Sequence, residues 1–317
     1  MTVAITGATG VVGGAVLRHL LDRGEKVRAL IRSDKPLPPH VDRAEGDVLD
    51  PASLREAFAG VTKVFHIAGI NQMCSADPAF MERVNVEGTR NVADAAFEAG
   101  ALLVHTSSAA VLGEAEGEIG DESNFPQGPL PSRYAASKWR AEQQLAEISG
   151  RQPVVIVNPS SVQGPGRATG TARLLLGLMS GRLRTIVDTR ISIVDIDDCA
   201  AGHLLAAERG EAGQRYVLNS FSMTIQEAVA IIESVISHPL RVSYLPTPLV
   251  QIGGVVVGGI LGLLGRTAPI CGESIRAILH GHLFDGSKAS RDLGLEYTPA
   301  DVTFQRLWEW AKKEELM

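Results

Sequence analysis

The stretch Thr6-Gly7-Ala8-Thr9-Gly10-Val11-Val12-Gly13-Gly14 decides the fold. It follows a short apolar run, residues 3–6, and precedes residues 11–22, whose apolar side chains recur at helical spacing. Gly7, Gly10 and Gly13 therefore stand at a G-x-x-G-x-x-G spacing inside a strand–turn–helix unit. Glycine permits the turn, lets the backbone approach a pyrophosphate, and allows helix and strand to pack closely. The helix start adds free N–H donors and positive potential. Three glycines alone could be turn glycines, but this context predicts a dinucleotide cradle formed by Gly7, Thr9, Gly10, Val11, Val12 and Gly13.

Working outward, the first half alternates strand and helix. Residues 27–31, 43–47, 61–67, 101–106 and 153–158 read as strands, and 52–59, 77–98 and 132–148 as helices. Asp77-Pro78 makes a plausible N-cap and first-turn pair. Such alternation predicts an α/β protein, a Rossmann-type doubly wound parallel sheet with ligands at the carboxyl ends of its strands. Beyond Pro159 the pattern loosens into a Gly/Pro loop at 164–170, with late strands near 191–194 and 216–218. We expect a dinucleotide-binding domain over residues 1–165, to which 185–220 return. Residues 166–184 and 221–317 are expected to form mainly a smaller C-terminal substrate-binding domain.

Composition narrows the function. A net charge of -6 over 317 residues argues against a nucleic-acid partner. Three scattered cysteines, Cys74, Cys199 and Cys271, do not form a disulfide framework or a zinc site, and fit a reducing, cytoplasmic setting. No metal-ligand spacing is seen, and His66, His105 and His203, which lie in apolar runs, read as core or strand-end histidines. Residues 249–265 are almost uncharged but glycine-rich and short for a span, so a buried or substrate-domain helix is expected rather than membrane contact.

The second strand ends at Ile31-Arg32-Ser33, where an NAD site ordinarily carries an acid for the ribose 2′-hydroxyl. A guanidinium can instead bind a 2′-phosphate, so Arg32 favours NADP(H) over NAD(H), unless it is a solvated surface arginine. Asp47-Val48 follows the next strand and is expected to grip the adenine, with a loop cap as the alternative for Asp47. Ile67, Ala68 and Gly69 end the fourth strand with small residues that let a cofactor lie against the sheet.

Tyr134 and Lys138 stand four apart in Tyr-Ala-Ala-Ser-Lys, on one helix face. A neighbouring ammonium would lower the tyrosine pKa and let it exchange a proton with a substrate oxygen. Ser107-Ser108 follows the strand at 101–106, and Ser108 is the better placed of the two to orient that oxygen.

These pieces, with GDV at 46–48, FHIAG at 65–69, VNVEGTRNV at 84–92, HTSSAAVLG at 105–113, NPSSVQGPG at 158–166 and IVDIDDCA at 193–200, resemble an extended short-chain dehydrogenase/reductase of the NAD-dependent epimerase/dehydratase family. VRALIRS at 27–33 is similar to the dihydroflavonol-4-reductase-like branch. The resemblance implies that Tyr134 is the acid/base, that Lys138 lowers its pKa and bonds the nicotinamide ribose, and that Ser108 orients the substrate oxygen while hydride passes between nicotinamide and a carbonyl carbon. It also places Pro159, Ser160 and Val162 beside the nicotinamide, adds Thr106 to the cofactor-binding residues, and makes Asn85 a tie between two elements at the site. A homodimer through the helices at 77–98 and 132–148 is the family's frequent assembly.

Departures from the family discriminate among activities. Ser108-Ala109-Ala110-Val111 holds no acid, which argues against a dehydratase. Arg32 points to NADPH and net reduction of an aldehyde or ketone. A nucleoside-diphosphate-sugar epimerase using NAD is the runner-up, and Arg167, Arg173, Arg182, Arg184 and Arg276 are its candidate diphosphate contacts, or else surface charges. A non-catalytic NADP-binding sensor is the third reading, but such relatives typically lose the Tyr/Lys pair kept here.

Overall fold

The computed structural model describes residues 2–150, 152–247, 250 and 272–317. The chain runs through β1 (Thr2–Thr6), α1 (Val11–Asp22), β2 (Lys26–Ile31), β3 (Asp42–Glu45), α2 (Pro51–Phe58) and β4 (Lys63–His66). It continues with α3 (Pro78–Glu82), α4 (Gly88–Glu98), β5 (Leu102–Thr106), β6 (Ile119–Gly120), α5 (Arg133–Ile148), β7 (Val154–Pro159) and β8 (Ser161–Gln163). Then follow α6 (Thr171–Met179), β9 (Thr185–Val187), β10 (Arg190–Asp195), α7 (Ile196–Arg209), β11 (Arg215–Leu218), β12 (Phe221–Thr224), α8 (Ile225–Ile236) and β13 (Ser243–Leu245). After residue 271 come α9 (Gly272–His280), β14 (Leu283–Phe284) and α10 (Ala300–Lys313).

Seven strands pair in the order β11-β7-β5-β4-β1-β2-β3, and every pair is parallel. Their side chains alternate between two apolar layers, as the two-residue period requires. Ile5, Phe65 and Val104 face the layer shared with α1 and α7, whereas Ala4, Val64 and Leu103 face the layer shared with α2 and α4. The strand order reverses between β1 and β4, and the glycine turn lies at that switch point, where doubly wound sheets place ligands. A three-stranded sheet, β12-β10-β8, packs with α6, α8 and α10 around a third apolar cluster that includes Leu175, Ile193, Ile232 and Phe304.

Helix starts follow capping chemistry. Asp50 accepts from the Ala52 N–H at 3.0 Å ahead of Pro51, and Asp77 accepts from the Phe80 N–H at 2.9 Å ahead of Pro78. Ser132 accepts from the Ala135 N–H at 3.1 Å and opens α5. One expected element differs. The single helix read over 77–98 is interrupted by a π-helical turn, Arg83–Glu87, between α3 and α4. The wider turn carries the buried Asn85. The pairs β6–β14 and β9–β13 are two or three residues long, too short to leave a periodic signal.

Cys199 is a free buried thiol, whereas Cys74 is disulfide-bonded, so the sparse cysteine count does not mean that every thiol is reduced. The apolar residues 249–265, apart from Val250, lie outside the described residues. Among the described residues no helix is long and apolar enough to cross a membrane.

Candidate functional site

Gly7 adopts a left-handed φ of +74°, and a Cβ there would lie 2.6 Å from the Ala68 nitrogen. A Cβ at Gly13 would fall 2.1 Å from the Gly7 carbonyl oxygen. No side chain larger than hydrogen fits at either position, so β1, α1 and the end of β4 approach more closely than other residues allow. Helix α1 begins after Gly10 with no side-chain cap, which leaves its first N–H groups, from Val11, Val12 and Gly13, for an external anion. Thr9 and Gly10 are exposed at the mouth. This uncapped, side-chain-free cradle fits a dinucleotide pyrophosphate.

Buried polar links hold the floor of the cradle. Thr6 Oγ1 accepts from the N–H groups of Ile67 at 3.2 Å and Ala68 at 3.1 Å. Its own proton therefore goes to His66 Nδ1 at 2.8 Å, and His66 Nε2 donates to Thr89 Oγ1 at 3.1 Å. Burial, with the nearby Lys138 charge, pushes His66 down to about 3, so it serves as a neutral link. Asn85 completes the frame: it bonds both polar groups of Ile70 and donates to Ser137 Oγ at 2.9 Å, joining the loop after β4 to α5.

At the carboxyl end of β2, Arg32 is exposed and faces Asp47 at 3.8 Å across a cleft of about 470 Å³. Ile31, Ser33, Asp34, Glu45, Gly46, Asp50 and Ser53 complete that cleft. Asp47 also accepts from the Leu49 N–H at 2.9 Å, the loop-cap role foreseen as its alternative. Val48 turns its side chain into the core against Gly88, leaving only its backbone for a ligand.

The reacting set gathers between β5 and α5. The Ser108 hydroxyl stands near the Tyr134 phenol and acts to lower its pKa. Ser108 Oγ also accepts from the Ala110 N–H at 3.3 Å, and its carbonyl accepts from Asn158 Nδ2 at 3.2 Å. The same Asn158 amide donates to the buried Glu142 carboxylate at 2.6 Å, so Asn158 braces Ser108 from behind. Sequence reading gave Asn158 no role, since one asparagine in a strand carries no signal. Ser107, in contrast, is buried, and its hydroxyl has no hydrogen-bond partner among the described residues. Lys138 lies one turn along α5, 4% exposed, under Gly69, where an added Cβ would be 3.6 Å from its Nζ.

The electrostatics differ from the expectation. Burial raises the Tyr134 pKa, and only the Ser108 hydroxyl and the Arg167 guanidinium oppose it; Lys138 does not draw it down. Lys138 is itself pulled down to about 8 by burial, partly offset by Glu142. The Arg167 Nε is buried with no hydrogen-bond partner, and its guanidinium acts on Tyr134. The Thr106 hydroxyl pairs with His203 Nε2 at 2.8 Å. Pro159 is buried at the end of β7 and Val162 within β8, and the Ser160 hydroxyl between them has no partner among the described residues.

The family model of the NAD dependent epimerase/dehydratase family matches residues 3–219. A protein of Synechocystis sp. named "Putative dihydroflavonol 4-reductase" is 34% identical, with 92% of this chain and 89% of that protein covered. The "Sterol demethylase protein B" of Methylococcus capsulatus is 32% identical with 100% of both chains covered. The crystal structure of gox2253 superposes with a TM-score of 0.86 at 31% identity, covering 100% of this chain and 99% of that one. The match takes in the whole cradle, Ser108, Tyr134 and Lys138, and the chain accordingly belongs to the NAD dependent epimerase/dehydratase family and is an NAD(P)-dependent oxidoreductase.

Proposed function

We propose that the chain reduces the carbonyl group of a small aldehyde or ketone, with NADP(H) as its cofactor and Ser108, Tyr134 and Lys138 as its reacting set. The observation that carries this reading is the placement of the Ser108 hydroxyl beside the buried Tyr134 phenol at the carboxyl end of β5. Two hydroxyls on one oxygen position are what a carbonyl needs as it becomes an alkoxide: one to orient it and one to give it a proton. Burial keeps the phenol protonated at neutral pH, which suits a proton donor in a net reduction. Lys138, under the cradle beside Gly69, bonds the nicotinamide ribose. Gly7, Thr9, Gly10, Val11, Val12 and Gly13 hold the pyrophosphate. Ile67, Ala68 and Gly69 let the cofactor lie on the sheet, with Pro159, Ser160 and Val162 bordering the nicotinamide. Arg32 exchanges Asp47 for the 2′-phosphate. When bound, the nicotinamide supplies the hydride. The Synechocystis relative is named as a reductase, which supports this direction.

The test is NADPH consumption by the purified chain with a panel of aldehydes and ketones, alongside Tyr134→Phe. The variant is expected to lose turnover by about 10²- to 10⁴-fold while still binding NADPH. Retained turnover would overturn the assignment of Tyr134. Tightly held NAD, with no net consumption of NADPH, would replace carbonyl reduction with the sugar-nucleotide epimerase reading.

A further inference from the structure

Away from the cradle, three side chains that the reaction does not use converge. His280 ends α9, Gly281 turns the chain with a left-handed φ of +61°, and His282 leads into β14. That turn brings the two imidazole rings to centroids 4.5 Å apart. Glu114 comes from the loop after β5, 168 positions before His282, and the parallel pairing of β6 with β14 delivers it. Glu114 Oε1 lies 3.3 Å from His280 Nε2 and is hydrogen-bonded to His282 Nδ1. One donor atom from each residue lies within 4.8 Å of the other two.

We propose that Glu114, His280 and His282 bind a divalent transition-metal ion of the zinc class, which clamps the loop after β5 to the end of α9. Two imidazoles and a carboxylate are a donor set that suits zinc. Bonds of about 2.0–2.1 Å in a tetrahedral site place donor atoms roughly 3.4 Å apart, close to the 3.3 Å separation of Glu114 Oε1 and His280 Nε2, whereas the hydrogen bond from His282 Nδ1 to the same oxygen must open as the ion replaces its proton. Glu114 is 4% exposed, and its Oε2 has no hydrogen-bond partner among the described residues, so the buried carboxylate is left under-satisfied by its two histidines. The scaffold is already fixed: the His282 carbonyl accepts from Ser192 Oγ at 2.8 Å, and its ring stacks on Phe284 at 5.4 Å. The sequence hides the site because the third ligand is remote from the His-Gly-His pair. This inference is independent of the proposed reaction.

The test uses the full chain without an affinity tag, stripped with a chelator and titrated calorimetrically with Zn²⁺. Binding of one equivalent is expected, together with a higher thermal midpoint in Zn²⁺. Glu114→Gln and His280→Ala should each weaken binding at least about tenfold and remove the thermal shift. His280 is partly exposed, so His280→Ala serves if Glu114→Gln does not fold, with circular dichroism as the check. Absence of stoichiometric Zn²⁺ binding to the unaltered chain, or undiminished binding by folded His280→Ala, overturns the proposal and leaves a hydrogen-bonded Glu–His–His latch.

Discussion

The Asn85 carboxamide closes on both polar groups of Ile70: Oδ1 accepts from the Ile70 N–H at 2.8 Å, and Nδ2 donates to the Ile70 carbonyl at 3.0 Å. Its second amide proton goes to Ser137, which in turn donates to the Tyr134 carbonyl at 2.7 Å. One side chain thus sets the spacing between the loop after β4 and the helix that presents Tyr134. Asn85→Ala leaves the Ile70 groups without this partner and should cost about 2–3 kcal/mol. Asn85→Asp keeps the acceptor and loses both donors. Urea denaturation should rank the natural protein above both variants, and a loss under about 0.5 kcal/mol for Asn85→Ala would show that the loop holds itself.

Cofactor choice should turn on Arg32. A charge-assisted bond to a 2′-phosphate contributes about 1.5–3 kcal/mol, so Arg32→Ala should weaken NADPH about 10- to 100-fold and NADH much less. Asp47→Asn removes the carboxylate that faces Arg32 at 3.8 Å, and should tighten NADPH rather than weaken it. Fluorescence titration of both cofactors measures each effect. Equal losses for NADPH and NADH in Arg32→Ala would contradict the 2′-phosphate role.

Lys138 sets activity against stability. Its pKa falls from 10.5 to about 8 on folding, because burial disfavours the ammonium. Between those values the unfolded chain binds the proton and the folded chain does not, so stability from this group rises with pH from about 8 to 10.5. At pH 7 the buried charge is a burden on the order of 3 kcal/mol. Lys138→Met should therefore melt higher than the natural protein at pH 7, lose that advantage by about pH 10.5, and be inactive at both. An unchanged melting difference across that range would show that the ammonium is well solvated in the folded chain.

Acid should act through the three core histidines. His66 is pushed down to about 3, His203 to about 4 and His105 well below its ordinary value, each chiefly by burial. As pH falls below about 6.5, only the unfolded chain takes up these protons, and each histidine removes about 1.4 kcal/mol of stability per pH unit until its folded pKa is reached. His105 has no hydrogen-bond partner on either ring nitrogen, so His105→Leu removes one proton of uptake without orphaning a neighbour. Urea midpoints between pH 4.5 and 6.5 should then fall less steeply in the variant; an identical slope would assign the acid sensitivity to carboxylates instead.

The sheet and the cradle were readable because they are local. Apolar runs of four to six residues, separated by helices with Asp-Pro starts, carry their own register, and Gly7 and Gly13 announce a close approach that any side chain would block. Tyr134 and Lys138 share a helix face by spacing alone. Other features depend on pairing across the chain. Asn158 reaches Ser108 only because β7 lies beside β5, and the Glu114 cluster exists only because β14 finds β6. The tyrosine's electrostatics are hidden for the same kind of reason: spacing gives the Tyr134–Lys138 neighbourhood, but burial, a property of the whole fold, sets the sign of the shift.

The pairing of β6 with β14 also has a consequence for synthesis. Strands β2 to β5 and β7 each meet a partner already made as the chain emerges. Residues 119–120, in the loop that follows Ser108, must wait for residues 283–284, made more than half a chain later. A nascent chain that has completed α7, the helix packed on α1, has both apolar layers behind the cradle, yet its Ser108 loop still lacks its final main-chain partner. Translation therefore delivers cofactor recognition first and a finished reaction chamber near the end, and a product truncated before β14 would be expected to occupy cofactor without turning it over.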